Sequence, residues 1–207
     1  MLIGGATGVG KSTVAEGLAR RLGAVRVVTT DAVREILRGA IPPEEFPALH
    51  VSSFEADDPD AATVAGFLEQ VHIVGSGIRS LLARADVEQV DIIVEGVHLV
   101  PGAIQFPDRL GALVVPLIIA VDDVGVHRSY LVARSHDSRR PPDRYLDGFE
   151  QIRRIQREVV RRAREHGVAT LRPSDPHAAV DEAVRLVERS LAHRGDAAGR
   201  LATRPGQ

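Results

Sequence analysis

Cysteine is absent from the 207 residues, which excludes thiol nucleophiles, cysteine-ligated zinc and a disulfide framework. Aromatic residues are scarce, at 3%, and that argues against nucleic-acid binding by base stacking, which needs exposed rings. Neither charge sign dominates: 26 basic side chains face 28 acidic ones, for a net charge of −2, so no overall field favours a polyanion. No apolar run is long enough to span a bilayer and no signal-peptide pattern is visible, so the expected location is the cytoplasm. What is present is ordinary for a globular chain, 44% hydrophobic and 26% charged. A chain of this length fits one domain with a small lid or insertion and buries enough surface to need no covalent staples.

Short apolar runs alternate with helical stripes. Leu2-Ile3, Val25 to Val28, Val90 to Val94, Leu117 to Val121 and Val168 to Leu171 read as strands covered on both faces, as in a parallel sheet. Between them, Val14, Leu18 and Leu22 recur at helical spacing and stop at Gly23. A second stripe runs from Val64 to Leu82, with Asp58-Pro59 as its start signal. A third runs from Leu146 to Val160, and a fourth from Val180 to Leu191 after Ser174-Asp175-Pro176. Strand–helix alternation of this kind implies right-handed βαβ units. The expected fold is α/β, three-layer, with a central parallel sheet of about five strands, and the string GATGVGKST at residues 5–13 makes that expectation a P-loop NTPase. Residues 1–193 are expected to form a single domain. Residues 40–60, rich in proline, read as an acceptor-side insertion, residues 134–144 as an arginine-rich lid, and residues 194–207 as a disordered tail.

The densest motif is GATGVGKST, residues 5–13. Gly5, Gly10, Lys11 and Ser12 have the spacing G-x-x-x-x-G-K-[ST], and the string stands between a strand and a helix, as such a loop requires. Glycines let the backbone curl so that N–H groups from Gly5, Ala6, Thr7, Gly8, Val9, Gly10 and Thr13 face phosphate oxygens. The positive end of the following helix adds to that field. Lys11 reaches the outer phosphates and the Ser12 hydroxyl reaches magnesium. The strand before the loop has only Met1 to Gly4, which leaves a start codon upstream open.

Asp31 closes the second strand in VVTTDAVRE. A carboxylate at the carboxyl end of a parallel strand faces the ligand crevice and can orient or deprotonate an acceptor hydroxyl; the alternative is a helix cap. Arg34, one turn on, is placed to hold an acceptor's carboxylate or phosphate. Glu95 follows the third strand, where an acid can join Ser12 in the magnesium shell. His98 is either a ligand of the acceptor or a histidine satisfied within the protein. Arg128 is a further candidate for the acceptor's negative charge. Arg134 and Arg139, in the proline-broken stretch RSHDSRRPPDR, are candidates for stabilising charge on a transferring phosphoryl group. Arg153, Arg154, Arg157, Arg161, Arg162 and Arg164 read as a solvated helix face.

Taken together, GGATGVGKST, TTDAVREILR, SSFEA, VEGVHLVPG and RYLDGFEQIRRIQ resemble the 2-phosphoglycerate kinase family of P-loop kinases. The loop alone is widely shared; its combination with TDxxRE and EGVHLVPG is much narrower. The resemblance implies a nucleoside-monophosphate-kinase-like core, ATP and Mg2+ as cofactors, and γ-phosphoryl transfer to 2-phosphoglycerate, giving 2,3-bisphosphoglycerate. The expected partners are ATP and a small anionic acceptor, with no nucleic acid or membrane; the sequence does not indicate an oligomeric state. Placing an acid at Asp31 also resembles shikimate and gluconate kinases, although the second acid of the shikimate kinases is missing. Two other readings stay open from the residues alone: a toxin-like or sugar/nucleoside kinase on the same scaffold, and a nucleotide-dependent regulatory module without transfer.

Overall fold

The computed structural model describes residues 1–23, 26–54, 62–104, 111–136 and 143–202. Five strands, β1 (Leu2–Gly4), β2 (Arg26–Thr29), β3 (Ile92–Gly96), β4 (Pro116–Ile119) and β5 (Ala169–Leu171), form one parallel sheet in the order β2-β3-β1-β4-β5. Ile3 stands level with Glu95 on one side and Leu117 on the other. The five expected strands are all found. The inner ones bury Ile3, Ile93, Val94, Leu117 and Ile119, as runs covered on both faces should. β2 departs from that expectation: it lies at the sheet edge and is largely exposed. Its β-branched residues therefore reflect strand propensity rather than two-sided burial.

Seven α-helices surround the sheet among the described residues: α1 (Lys11–Leu22), α2 (Thr30–Ala40), α3 (Ala62–Glu88), α4 (Val124–His136), α5 (Asp143–Asp147), α6 (Phe149–Glu165) and α7 (Ala178–Ala202). A 3₁₀ turn, Pro47–His50, lies between α2 and α3. α1 packs beside α7, and α3 packs against α2 and α6. Val14 and Leu18 of α1, Phe67, Val71, Val74 and Ile78 of α3, and Phe149, Ile152, Ile155 and Val159 of α6 are buried in one core with the strands. Each such side chain removed from water contributes about 1.5–3 kcal/mol before conformational entropy is set against it.

The helical stripe from Leu146 to Val160 is divided at Gly148 into α5 and α6. α4 carried no clear sequence signal. α7 runs on to Ala202, past residue 193, where the tail was expected to start. Asp58-Pro59 and most of the expected lid, residues 137–142, lie outside the described residues. The chain leaves β1 for β2 and β3 on one side and then reaches β4 and β5 on the other. The sheet therefore has its topological switch at β1, and the crevice opens at the carboxyl ends of β1, β3 and β4.

Candidate active site

One cleft at that crevice is lined by Thr7, Lys11, Ser12, Thr29, Asp31, Arg34, Glu95 and His98, with Ser52–Phe54, Gln70 and Tyr145 on its far wall. The loop residues Gly5 to Gly10 link β1 to α1. Gly8 and Gly10 have φ of +80° and +87°, backbone that other residues rarely adopt. A Cβ on Gly8 would stand 2.4 Å from Leu131 of α4, and one on Gly10 would stand 2.8 Å from Pro176. The loop is thus clamped from outside by its own scaffold. Ala6 and Val9 are buried, and Thr13 is half-buried in the first turn of α1. Lys11, itself buried, donates from Nζ to the Ala6 carbonyl at 2.7 Å, so its ammonium sits over the loop.

Ser12 Oγ donates to Glu95 Oε1 at 2.9 Å. The hydroxyl and carboxylate that the sequence paired for magnesium therefore stand together, one from α1 and one from β3. Among the described residues no group of three His, Cys, Asp or Glu side chains could cage a metal. A site of one hydroxyl and one carboxylate, both hard oxygen donors, suits magnesium that is completed by phosphate oxygens and water. Those residues fit the ion.

Asp31 lies in the first turn of α2 and lines the cleft. It does not cap the helix: Thr29 does, its side chain accepting from Ala32 N–H at 3.0 Å. Arg34 also lines the cleft, but its guanidinium is partly engaged by the protein. Nε donates to Leu49 O at 3.0 Å and Nη2 to Val51 O at 2.6 Å, tying α2 to the 3₁₀ turn. Beyond that turn, Ser52 accepts from Arg144 Nη2 at 2.6 Å and Phe54 lies 5.8 Å from the Tyr145 ring, so α5 closes onto the same wall.

Two expected acceptor ligands are placed otherwise. His98 is fully buried, with Nδ1 2.8 Å from Thr30 Oγ1 and Nε2 2.8 Å from Gln70 Oε1. Burial lowers its pKa to about 4, with Asp31 opposing the shift and Arg34 and Lys11 adding to it. A neutral ring with both nitrogens used inside the protein offers no charge to an anion, so the second alternative for His98 is the one the geometry supports. Arg128 is not part of the cleft lining; its guanidinium lies 4.2 Å from the centre of the Phe149 ring, a cation–π contact on the α4–α6 side. Arg134 falls in α4, but its side chain, like all of Arg139, lies outside the described residues.

Several residues near the site escaped the sequence reading. Arg153, expected on a solvated face, donates from Nη1 to Val121 O at 2.5 Å and from Nη2 to Asp122 O at 2.9 Å, beyond the end of β4. Gln156 pairs its amide with both sides of residue 121, accepting from Val121 N at 3.1 Å and donating to Val121 O at 2.9 Å. His127, buried and with its pKa lowered chiefly by that burial, donates from Nε2 to Thr7 O at 2.8 Å and so ties α4 to the phosphate loop. Gln70 stands in the buried stripe of α3, three residues after Phe67 and four before Val74. A polar residue inside an apolar stripe was the available signal for it. The arginine face behaves as expected at the exposed Arg161, which pairs with Glu158 and Glu165, whereas Arg162, also paired with Glu158, is half-buried.

A glycine loop on a parallel sheet's switch strand, backed by Ser12–Glu95 and faced by Asp31, defines a P-loop protein of the three-layer α/β class. A shikimate kinase from Acinetobacter baumannii, solved with shikimate, has the same fold: the TM-score is 0.55 at 16% identity, over 91% of this chain and 92% of that one. No family model matches the chain. It is 36% identical over 199 residues to the 2-phosphoglycerate kinase of Methanopyrus kandleri, covering 92% of this chain and 61% of that protein. It is 33% identical over 206 residues to the 2-phosphoglycerate kinase of Methanothermobacter thermautotrophicus, covering 95% and 67%. The chain belongs to the 2-phosphoglycerate kinase family. It spans about three fifths of the Methanopyrus protein's length.

Proposed function

We propose that the chain is an ATP- and magnesium-dependent kinase that phosphorylates 2-phosphoglycerate. The reading rests on its kinship with proteins of that name and on one observation above all: Asp31 shares a cleft with Lys11, Ser12 and Glu95. The groups read as phosphate-holding and hydroxyl-orienting thus line one cleft. In this reading the loop amides and Lys11 hold the ATP phosphates, and Ser12 with Glu95 holds magnesium, which supplies charge neutralisation between phosphates. Asp31 orients the acceptor hydroxyl and takes its proton as that oxygen bonds to the γ-phosphorus. The bond from phosphorus to the bridging β–γ oxygen breaks, and ADP leaves with that oxygen. Arg34, beside Asp31, offers positive charge to an acidic acceptor. Arg134 and Arg139 are proposed to meet the equatorial oxygens of the transferring group.

The test is ADP production from ATP against a panel of hydroxy- and phospho-acids that includes 2- and 3-phosphoglycerate. Turnover with 2-phosphoglycerate and a bisphosphorylated product is expected. ADP release that no acceptor stimulates would end the kinase reading, and a response to 3-phosphoglycerate alone would move the substrate.

A further inference from the structure

Thr30, His98 and Gln70 form one buried hydrogen-bond chain, and each is at most 1% exposed. Its polarity is fixed from one end. The Gln70 amide nitrogen donates to Ala48 O at 2.6 Å and to Val51 O at 3.1 Å. The amide oxygen must then face His98, so His98 carries its proton on Nε2. Nδ1 is left as an acceptor, and Thr30 Oγ1 donates to it. Thr30 is available for this because Thr29 already caps α2. Gly96 at the end of β3 makes room for it: a Cβ there would lie 1.8 Å from Thr30 Oγ1. The chain thus runs from the turn of α2 that carries Asp31, through the end of β3, to the carbonyls just ahead of Ser52 and Ser53.

We propose that Thr30, His98 and Gln70 are positioning residues that set the spacing between Asp31 and the Ser52–Ser53 wall, and so govern how the acceptor is held and turned over. The proposal rests on the kinase reading for its kinetic consequence and on the geometry alone for its structural one. None of the three residues hydrogen-bonds to the phosphate loop in this arrangement, so nucleotide affinity is independent of the chain. In a network this dry, each donor or acceptor left without its partner carries the full desolvation cost.

Thr30→Val keeps the shape of the side chain and removes the hydroxyl; Thr30→Ser keeps the hydroxyl. With 2-phosphoglycerate as acceptor, Thr30→Val is expected to lower kcat/KM for the acceptor about 10- to 100-fold, Thr30→Ser about threefold at most, and neither should change calorimetric ADP affinity more than about twofold. Equal losses in the two variants, or a loss of ADP affinity matching the loss in the acceptor step, would overturn it. If the unmodified protein does not turn over 2-phosphoglycerate, the substrate reading falls while the positioning role is still decided by amide hydrogen exchange. Thr30→Val should then speed exchange at residues 48–54 by about tenfold or more and leave residues 5–13 unchanged. An unchanged pattern, or a uniform increase over the whole chain, would sink the proposal.

Discussion

The two walls of the cleft are built in opposite ways. The proposed phosphate wall is nearly all one contiguous stretch, Gly5 to Thr13, and in the proposed mechanism its working groups are backbone amides with Lys11 and Ser12. The proposed acceptor wall gathers residues from α2, the stretch after the 3₁₀ turn, α3, the end of β3 and α5, and its order comes from side chains that bond to carbonyls and, for Arg144, to the Ser52 hydroxyl. A backbone cradle tolerates changes of side chain so long as φ is kept. A wall assembled from side chains depends on every member, because each buried polar group relies on the next. The phosphate wall should therefore fail by loss of charge or of turn geometry, and the acceptor wall by loss of registry.

Mutations at the two walls can separate these failures. The largest expected effect is at Asp31. Asp31→Ala should lower acceptor-dependent ADP release about 100- to 10,000-fold while calorimetric ATP affinity stays within about twofold. Full transfer by the variant would remove Asp31 from the mechanism. Lys11→Ala should cut turnover about 100- to 1,000-fold and, unlike the change at Asp31, should also weaken nucleotide binding. If Lys11→Ala spared nucleotide binding and Asp31→Ala abolished it, the two walls would have been assigned the wrong way round.

His98 gives an effect of intermediate size on stability. Its pKa is lowered from 6.5 to about 4 in the fold, so between those values the unfolded chain binds more protons than the folded one. Stability should be full above pH 6.5 and fall as the pH drops towards 4, by about 3 kcal/mol over the window at 1.36 kcal/mol per unit. Denaturation at stepped pH should show a shallower fall in His98→Asn; equal slopes would mean that the ring is not held neutral. The smallest effect is expected far from both walls. Arg161, on the exposed face of α6, holds Glu158 well below the usual carboxylate range, at about 2. Solvent screens such pairs, so Arg161→Ala should move the melting temperature by less than about 2 °C.

The same contrast explains what the sequence made legible. The loop, the five strands and the burial of α1, α3 and α6 follow from local spacing, because each depends on residues a few positions apart. Ser12 and Glu95, which stand 2.9 Å apart, can be paired from the sequence, since each sits at a strand end or helix start whose neighbours the βαβ pattern dictates. Partners on the acceptor wall are 28 residues apart for Gln70 and His98 and 68 for Thr30 and His98. Nothing local marks that meeting, so by sequence His98 can face either the acceptor or the interior. Arg153 is hidden in the sequence for a related reason. A helical arginine face looks uniform in sequence, yet this member reaches the carbonyls of residues 121 and 122 beyond β4, and those exist as partners only in the folded sheet.

The bare Cα of Gly96, wedged against Thr30, carries a lesson for anyone wishing to retune this pocket for another guest. If positions 30, 70 and 98 act together as proposed, libraries that randomise them one at a time will return mostly broken variants, and position 96 should be left as glycine: its φ is +154°, and an added Cβ would lie 2.7 Å from the Thr30 Cβ, which even alanine at 30 retains. Ser53 faces the cavity from outside that unit, which makes it the sensible first site to diversify.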